Sequence, residues 1–272
     1  MTTRQPYNQS GIFFDSTNLV EFQKWINAKI LGGATTNPLI AFKEGVTNFD
    51  ATIAQMVRSA GPHFPISVEI PDTTLSIQEM VVFARKYHQQ FPDNIVIKVP
   101  MDPREPQKAF EVMYLLGRKK IRVNGTIGLS LGQLIAASEA LRESKAVGDN
   151  YVSLFWSRRN EAYKEHVAEL VKSGIPKNQA IEHSLDASQT LTNLLTYLKT
   201  HASPVRTIVG SIRITDQIDT AFGLGADIVA ISPKLLAEWM YTQRGVETVE
   251  QFNQASRNLY PSYSGPPAGG AD

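Results

Sequence analysis

The amino-acid sequence predicts an α/β fold: a single (β/α)8 barrel of the TIM type, with one additional C-terminal helix. Three observations carry this expectation. Eight short apolar runs, each six or seven residues long, recur along the chain. Segments with helical periodicity separate them. The length, 272 residues, suits one such domain. An open, doubly wound sheet is the rival, because periodicity alone does not close a sheet.

The apolar runs cover residues 11–16, 30–36, 65–70, 94–100, 121–127, 150–155, 206–212 and 226–232. Most are rich in Ile, Val and Phe, as strands buried on both faces require. A helix over 76–90 places Ile77, Met80, Val81 and Ala84 on one face. Another, over 102–116, has Pro103 in its first turn, where a missing N–H costs nothing. A third, over 130–144, starts at a serine N-cap and carries Leu134, Ala137 and Leu141 on one stripe. Residues 216–224 form a helix that stops at Gly225, a natural C-cap. Helices over 233–241 and 246–259 close the chain. The stretch 160–203 is too long for one helix and is expected to hold two, broken near Gly174, Ile175 and Pro176. Residues 1–10 are expected to be flexible, 11–260 to form the barrel, and 261–272, rich in Gly, Pro and Ser, to be a disordered tail.

Composition excludes several chemistries. With no cysteine, disulfides, thiolate metal sites, iron–sulfur clusters and cysteine nucleophiles are ruled out. Lys plus Arg number 27 against 26 for Asp plus Glu, a net charge of +1, so neither nucleic acid nor a membrane surface is expected as partner. No apolar run approaches the ~20 residues that span a bilayer. The polar start MTTRQPYNQSG lacks the apolar core of a secretion signal, and the expectation is a soluble, cytoplasmic protein. No phosphate-binding loop, G-x-G-x-x-G or G-x-S-x-G motif occurs. The five histidines lack metal-ligand spacing and read as solvated positions in loops and on helix surfaces.

Catalytic side chains of a β/α barrel project from the C-terminal ends of its strands. Polar residues at those ends are Asp15, Thr36, Asn37, Glu69, Lys98, Asn124, Thr126, Ser153, Ser211, Arg213 and Ser232. Lys98 is the most informative, because it sits inside the apolar run Ile95-Val96-Ile97-Lys98-Val99-Pro100. It either extends its amine to water or sits in the barrel mouth. In the second case burial disfavours the charged form of an amine, and a neutral amine attacks carbonyls to form imines. The carboxylates of Asp15 and Glu69 then serve acid–base work, or one of them forms a structural ion pair with Lys98. Arg158 after the sixth strand, with Ser211 and Arg213 after the seventh, offers anion recognition.

These residues resemble the transaldolase family in order and spacing. The resemblance rests on Phe14-Asp15-Ser16-Thr17-Asn18, Gly33-Ala34-Thr35-Thr36-Asn37-Pro38, Ile97-Lys98-Val99-Pro100, Val123-Asn124-Gly125-Thr126 and Gly210-Ser211-Ile212-Arg213. It covers about residues 11–245 and points to the small-subunit, fructose 6-phosphate aldolase-like branch. It implies that Lys98 forms the Schiff base and Asp15 is the acid–base beside the cleaved C3–C4 bond. Glu69 and Thr126 would hold a catalytic water; Asn37 and Asn124 would bond substrate hydroxyls, and Ser153 the C1 hydroxyl. Arg158, Ser211 and Arg213 would clamp a phosphate. No metal or organic cofactor is implied. The expected partners are sugar phosphates and further copies of the chain, and the expected setting is carbohydrate metabolism, in the pentose phosphate pathway. Aldolases that resemble this chain carry glutamine where Glu69 stands and tyrosine where Phe155 stands, so both residues favour transfer over release.

Two segments depart from the family pattern, one of them the lengthened region after strand six with its Ile175-Pro176 break. Where the family reads Ser-Pro-Phe-Val-Gly-Arg-Ile-Asp-Asp, this chain has Ser153-Leu154-Phe155-Trp156-Ser157-Arg158-Arg159-Asn160-Glu161. Trp156 and Arg159 are expected near the anion site, and they leave a sulfonated or otherwise unusual ketose open. Three readings stay open: a transaldolase on phosphorylated ketoses, an aldolase or variant transaldolase, and a non-catalytic barrel used as a binding or assembly protein.

Overall fold

Eight parallel strands pair in sequence order, and β1 pairs with β8 to close the barrel. That last pairing excludes the open sheet. The computed structural model describes residues 10–260. The expected disordered tail, and the expected flexible N-terminal stretch except Ser10, lie outside the described residues.

In chain order the elements are β1 (Ile12–Asp15), α1 (Leu19–Asn27), β2 (Gly33–Thr35), α2 (Pro38–Lys43), α3 (Phe49–Ala60), β3 (Ile66–Glu69) and α4 (Ile77–Gln90). Then come β4 (Ile95–Pro100), α5 (Pro106–Arg118), β5 (Arg122–Gly128), α6 (Leu131–Ala140), β6 (Tyr151–Phe155) and α7 (Trp156–Lys172). The remainder are α8 (Lys177–Glu182), α9 (Ala187–Thr200), β7 (Arg206–Gly210), α10 (Thr215–Gly223), β8 (Ile228–Ile231), α11 (Pro233–Met240) and α12 (Gln243–Leu259). Among the described residues, those up to Leu235 form one compact unit, the barrel. Residues from Leu236 form a second, which holds α12, the additional C-terminal helix. Among the described residues no helix is long and apolar enough to cross a membrane.

Several helices start and stop where local chemistry dictates. Ser76 with Glu79 and Ser130 with Gln133 form capping boxes at α4 and α6, each satisfying two otherwise orphaned donors. Three expectations shift. α5 starts at Pro106 and not near Pro103, because the Asp102 carboxylate accepts from Arg104 N at 3.0 Å and from the Thr73 hydroxyl at 2.9 Å and holds residues 102–105 in a turn. α6 ends at Ala140, short of residue 144. The stretch 160–203 breaks near Gly174 as expected, but it breaks again before Asp186, which caps α9 through Gln189 N.

Strand alternation sorts the barrel into two faces. Phe13, Val96, Tyr151, Ile208, Ile228 and Ala230 form a buried cluster inside it. Phe14, Ile97, Val123, Val152, Val209 and Val229 have the opposite parity and are fully buried too, the two-faced burial that parallel sheets require. Phe13 pairs in register with Gly33. A Cβ on Gly33 would lie 2.4 Å from the Phe13 ring, so glycine makes room for the aromatic plug at the barrel's centre. Gly33→Ala is therefore expected to cost about 1–3 kcal/mol by overpacking. Urea unfolding measures it; unchanged stability would mean that the ring has free space.

Candidate active site

A cavity of about 540 Å³ opens at the C-terminal ends of the strands. Its lining shares the inward parity of the apolar cluster, so the barrel interior changes from hydrocarbon to polar along its axis. β4 shows the change most simply: Val96 belongs to the cluster, and Lys98, two residues on, lines the cavity. Lys98 is only 3% exposed. Register sets Glu69 of β3 opposite it, and Lys98 Nζ lies 2.9 Å from Glu69 Oε2. The amine also donates to the Thr36 carbonyl at 3.0 Å. These partners offset the desolvation of the ammonium; removing one member of such a buried pair typically costs about 3–5 kcal/mol.

Asp15 ends β1, opposite Thr35 of β2, and accepts from the Thr35 hydroxyl at 2.7 Å. Burial pushes the Asp15 carboxyl above its ordinary range. Lys98 and the Thr35 bond pull it down, while Glu44 and Glu69 add to the rise. Glu44 is fixed by the Ser16 hydroxyl at 2.6 Å, the Thr17 N–H at 2.7 Å and the Thr17 hydroxyl. It ties the end of α2 to the loop that follows Asp15.

The Thr126 hydroxyl lines the cavity, is buried and has no hydrogen-bond partner among the described residues. A buried hydroxyl left in that state costs about 1–3 kcal/mol, so it marks a place for a polar group in the cavity. Ser153 faces the cavity and donates to Asn124 Oδ1 at 2.7 Å. Asn37 caps α2 through its Oδ1, which accepts from Ile40 N at 2.8 Å, and its amide nitrogen remains for the cavity it lines.

Arg158, Ser211 and Arg213 lie together at the outer part of the lining. Arg213 Nη1 pairs with Glu161, and Arg158 Nη1 stands 3.5 Å from the same carboxylate. The Arg213 bond holds the Glu161 carboxyl below its ordinary range. α7 follows β6 without a loop, and α10 begins soon after β7. Neither has a side-chain cap; the Ser157 N–H is taken by the Ser211 carbonyl and the Gln217 N–H by the Ile214 carbonyl, and the first-turn N–H groups that remain suit an anion. The lining also holds two strained residues, Ile127 at φ 61° and Ser211 at φ 58°. Such conformations cost about 1–3 kcal/mol and persist where the surroundings enforce them. Ile127 sits where the β5–β6 register shifts.

Of the residues expected from the sequence, Asp15, Asn37, Glu69, Lys98, Thr126, Ser153, Phe155, Arg158, Ser211, Arg213 and Ser232 meet around this one cavity. Asn124 does not reach it: the side chain is fully buried and bonds Ser153, with Ser67 Oγ at 3.5 Å. Thr36 also faces away and donates to the Ser67 carbonyl at 2.8 Å; its neighbour Thr35 points inward. Trp156 and Arg159 are not in the lining. Trp156 is buried in the first turn of α7, and Arg159 bonds the Leu185 carbonyl and the Thr190 hydroxyl. Thr35, Lys43 and Glu44 line the cavity without having been expected. Strand parity counted back from Lys98 and Asp15 would have found Thr35. Glu44 reads in sequence as an ordinary charged helix end.

Comparison with known proteins shows the family. The model of the transaldolase/fructose-6-phosphate aldolase family matches residues 12–261. A probable transaldolase of Brachyspira hyodysenteriae is 26% identical over 89% of this chain and 97% of its own length. One from Thermoplasma acidophilum is 25% identical over 92% and 96%. Among solved structures, a putative phosphonomutase from Burkholderia cenocepacia superposes with a TM-score of 0.51 at 11% identity over 89% of this chain and 94% of that one, a likeness of fold alone. With eight parallel strands closed around a buried lysine and a family match over nearly its whole length, the chain belongs to the transaldolase/fructose-6-phosphate aldolase family.

Proposed function

We propose that the protein is a transaldolase that moves a dihydroxyacetone unit from a ketose phosphate, fructose 6-phosphate or sedoheptulose 7-phosphate, to an aldose acceptor through a Schiff base on Lys98. The observation that carries this reading is the buried Lys98 amine, 2.9 Å from Glu69, in a cavity that also holds Asp15. Glu69 takes the ammonium proton, and the free amine attacks the C2 carbonyl. A water held by Glu69 and Thr126 relays protons as the carbinolamine loses water to give the protonated imine. Asp15 then removes the C4 hydroxyl proton, the C3–C4 bond breaks, and its electron pair is taken up by the imine as an enamine. The elevated carboxyl of Asp15 suits a group that must gain and lose a proton in each cycle. The aldehyde leaves, the acceptor aldehyde takes its place, and Asp15 returns the proton to the new alkoxide. Water hydrolyses the final imine.

Arg158, Arg213 and Ser211 support a phosphate terminus, with the anion displacing Glu161 from the two guanidinium groups. Glu69 and Phe155 favour transfer over release. The exposed Val249 and Phe252 of α12, a helix without buried residues, favour a homo-oligomer.

Four outcomes follow. Borohydride treatment with fructose 6-phosphate is expected to fix a three-carbon adduct on Lys98, seen by peptide mass spectrometry; an adduct undiminished in Lys98→Ala would refute the imine. With erythrose 4-phosphate present, product analysis is expected to find the transferred seven-carbon ketose. Free dihydroxyacetone accumulating in its place would assign an aldolase. Asp15→Asn is expected to lower kcat by roughly 10²–10⁴-fold. Because the folded protein raises the Asp15 carboxyl, its ionisation subtracts stability as pH rises. The same variant should therefore melt higher than wild type near neutral pH, with the gain vanishing below about pH 4. An equal or lower Tm near neutral pH would contradict the elevated carboxyl.

A further inference from the structure

A second cavity, of about 450 Å³, lies at the opposite end of the barrel, where β4, β5 and β6 begin. Its lining contains Lys120, Arg122, His63 and His88. Arg122 is the first residue of β5 and is only 8% exposed. A guanidinium has five N–H donors. Within the described residues Arg122 makes one hydrogen bond, from Nη2 to the Asp93 carbonyl at 2.7 Å, and no ion pair. A nearly buried cation without a close ion pair is costly.

Burial holds the Arg122 guanidinium below its ordinary range and outweighs Tyr151, Asp149 and Asp93, which share the lining and favour the cation. Asp149, in the same lining, is bound by Arg206 at 3.0 Å, and Asp93 is exposed and offers Arg122 its backbone carbonyl. Gly148, at φ 98°, lies flat against the Arg122 side chain; a Cβ there would come within 3.2 Å of Cδ and 3.6 Å of Nη1. Arg122 keeps a surface on the cavity beside this glycine. His88 Nδ1 is buried without a partner. Burial and the neighbouring Arg122 charge hold the imidazole below its ordinary range, against a smaller opposing pull from Asp93. Lys120, exposed at φ 65°, places a further ammonium on the lining.

We propose that this floor cavity is a second ligand site that binds a phosphate-type oxyanion on Arg122, Lys120 and His88, separate from the cavity that holds Lys98. The guanidinium edge takes the anion through paired N–H donors, Lys120 adds charge, and a protonated His88 adds a donor. Free phosphate and a phosphate monoester share this chemistry, and the cavity has space for the organic part of the latter.

Histidine ring resonances test the site without interference, because no histidine lines the Lys98 cavity. Titration with inorganic phosphate, and separately with glycerol 3-phosphate, is expected to raise the His88 midpoint by about half a unit or more. The shift should saturate, disappear in Arg122→Met, shrink in Lys120→Gln and persist in Arg213→Met. Tighter binding of the monoester would identify a phosphorylated metabolite as ligand, and equal or weaker binding free phosphate. Lys120 is exposed, so its variant remains informative if Arg122→Met folds poorly. A His88 midpoint unmoved by either anion, or moved equally in Lys120→Gln and wild type, would overturn the proposal.

Discussion

A primary amine in the interior of a closed β-barrel cannot extend to bulk water, so its proton must be managed by whatever the neighbouring strands bring to it. Here β3 supplies Glu69 in direct register, and Thr36, the residue after β2, supplies its carbonyl. The rest of the site follows from that pair. Asp15 stands close enough to feel the charge of Lys98, Thr35 orients Asp15, and Glu44 fixes the adjoining loop from α2. In the proposed chemistry the same contacts that make the buried ammonium tolerable also give its proton somewhere to go.

The barrel meets this demand by dividing its axis. One inward row of side chains fills the lower half with hydrocarbon, anchored where the Phe13 ring covers Gly33 and meets Tyr151 edge-on at 5.9 Å. The next inward row is polar and carries the site. Two residues with strained backbone, Ile127 and Ser211, lie at the same level, where strands give way to the loops of the anion end. The hydrophobic half supplies the rigidity against which these positions are held. Below it, the strand starts carry their own charges, among them the nearly buried Arg122.

Much of this was legible in the sequence because two periodicities are strong. Apolar runs announced all eight strands, and a lysine inside one of them announced the site. Failures occurred where a single residue of register decides the outcome. Thr35 and Thr36 are chemically identical, but a one-residue shift exchanges cavity for back face. Asn124 has the correct parity yet sits one step too deep, so its amide bonds Ser153 and not the cavity. Arg159 follows Arg158 directly but, on a helix, points about 100° away and packs under the α8–α9 connection. His88 looked like a solvated position on a helix, and only the fold reveals Arg122 beside it. Such facts depend on contacts between residues distant in sequence, which no local pattern encodes.

The central claim is that catalysis passes through an imine at Lys98, and imine formation expels the C2 oxygen of the sugar as water. Fructose 6-phosphate carrying a heavy oxygen isotope at C2 therefore gives the most direct test. During transfer to erythrose 4-phosphate, the C2 carbonyl of the product ketose is expected to carry solvent oxygen, beyond the exchange seen without enzyme. Label retained in the product carbonyl through turnover would contradict the account, because the carbonyl would never have been replaced by nitrogen.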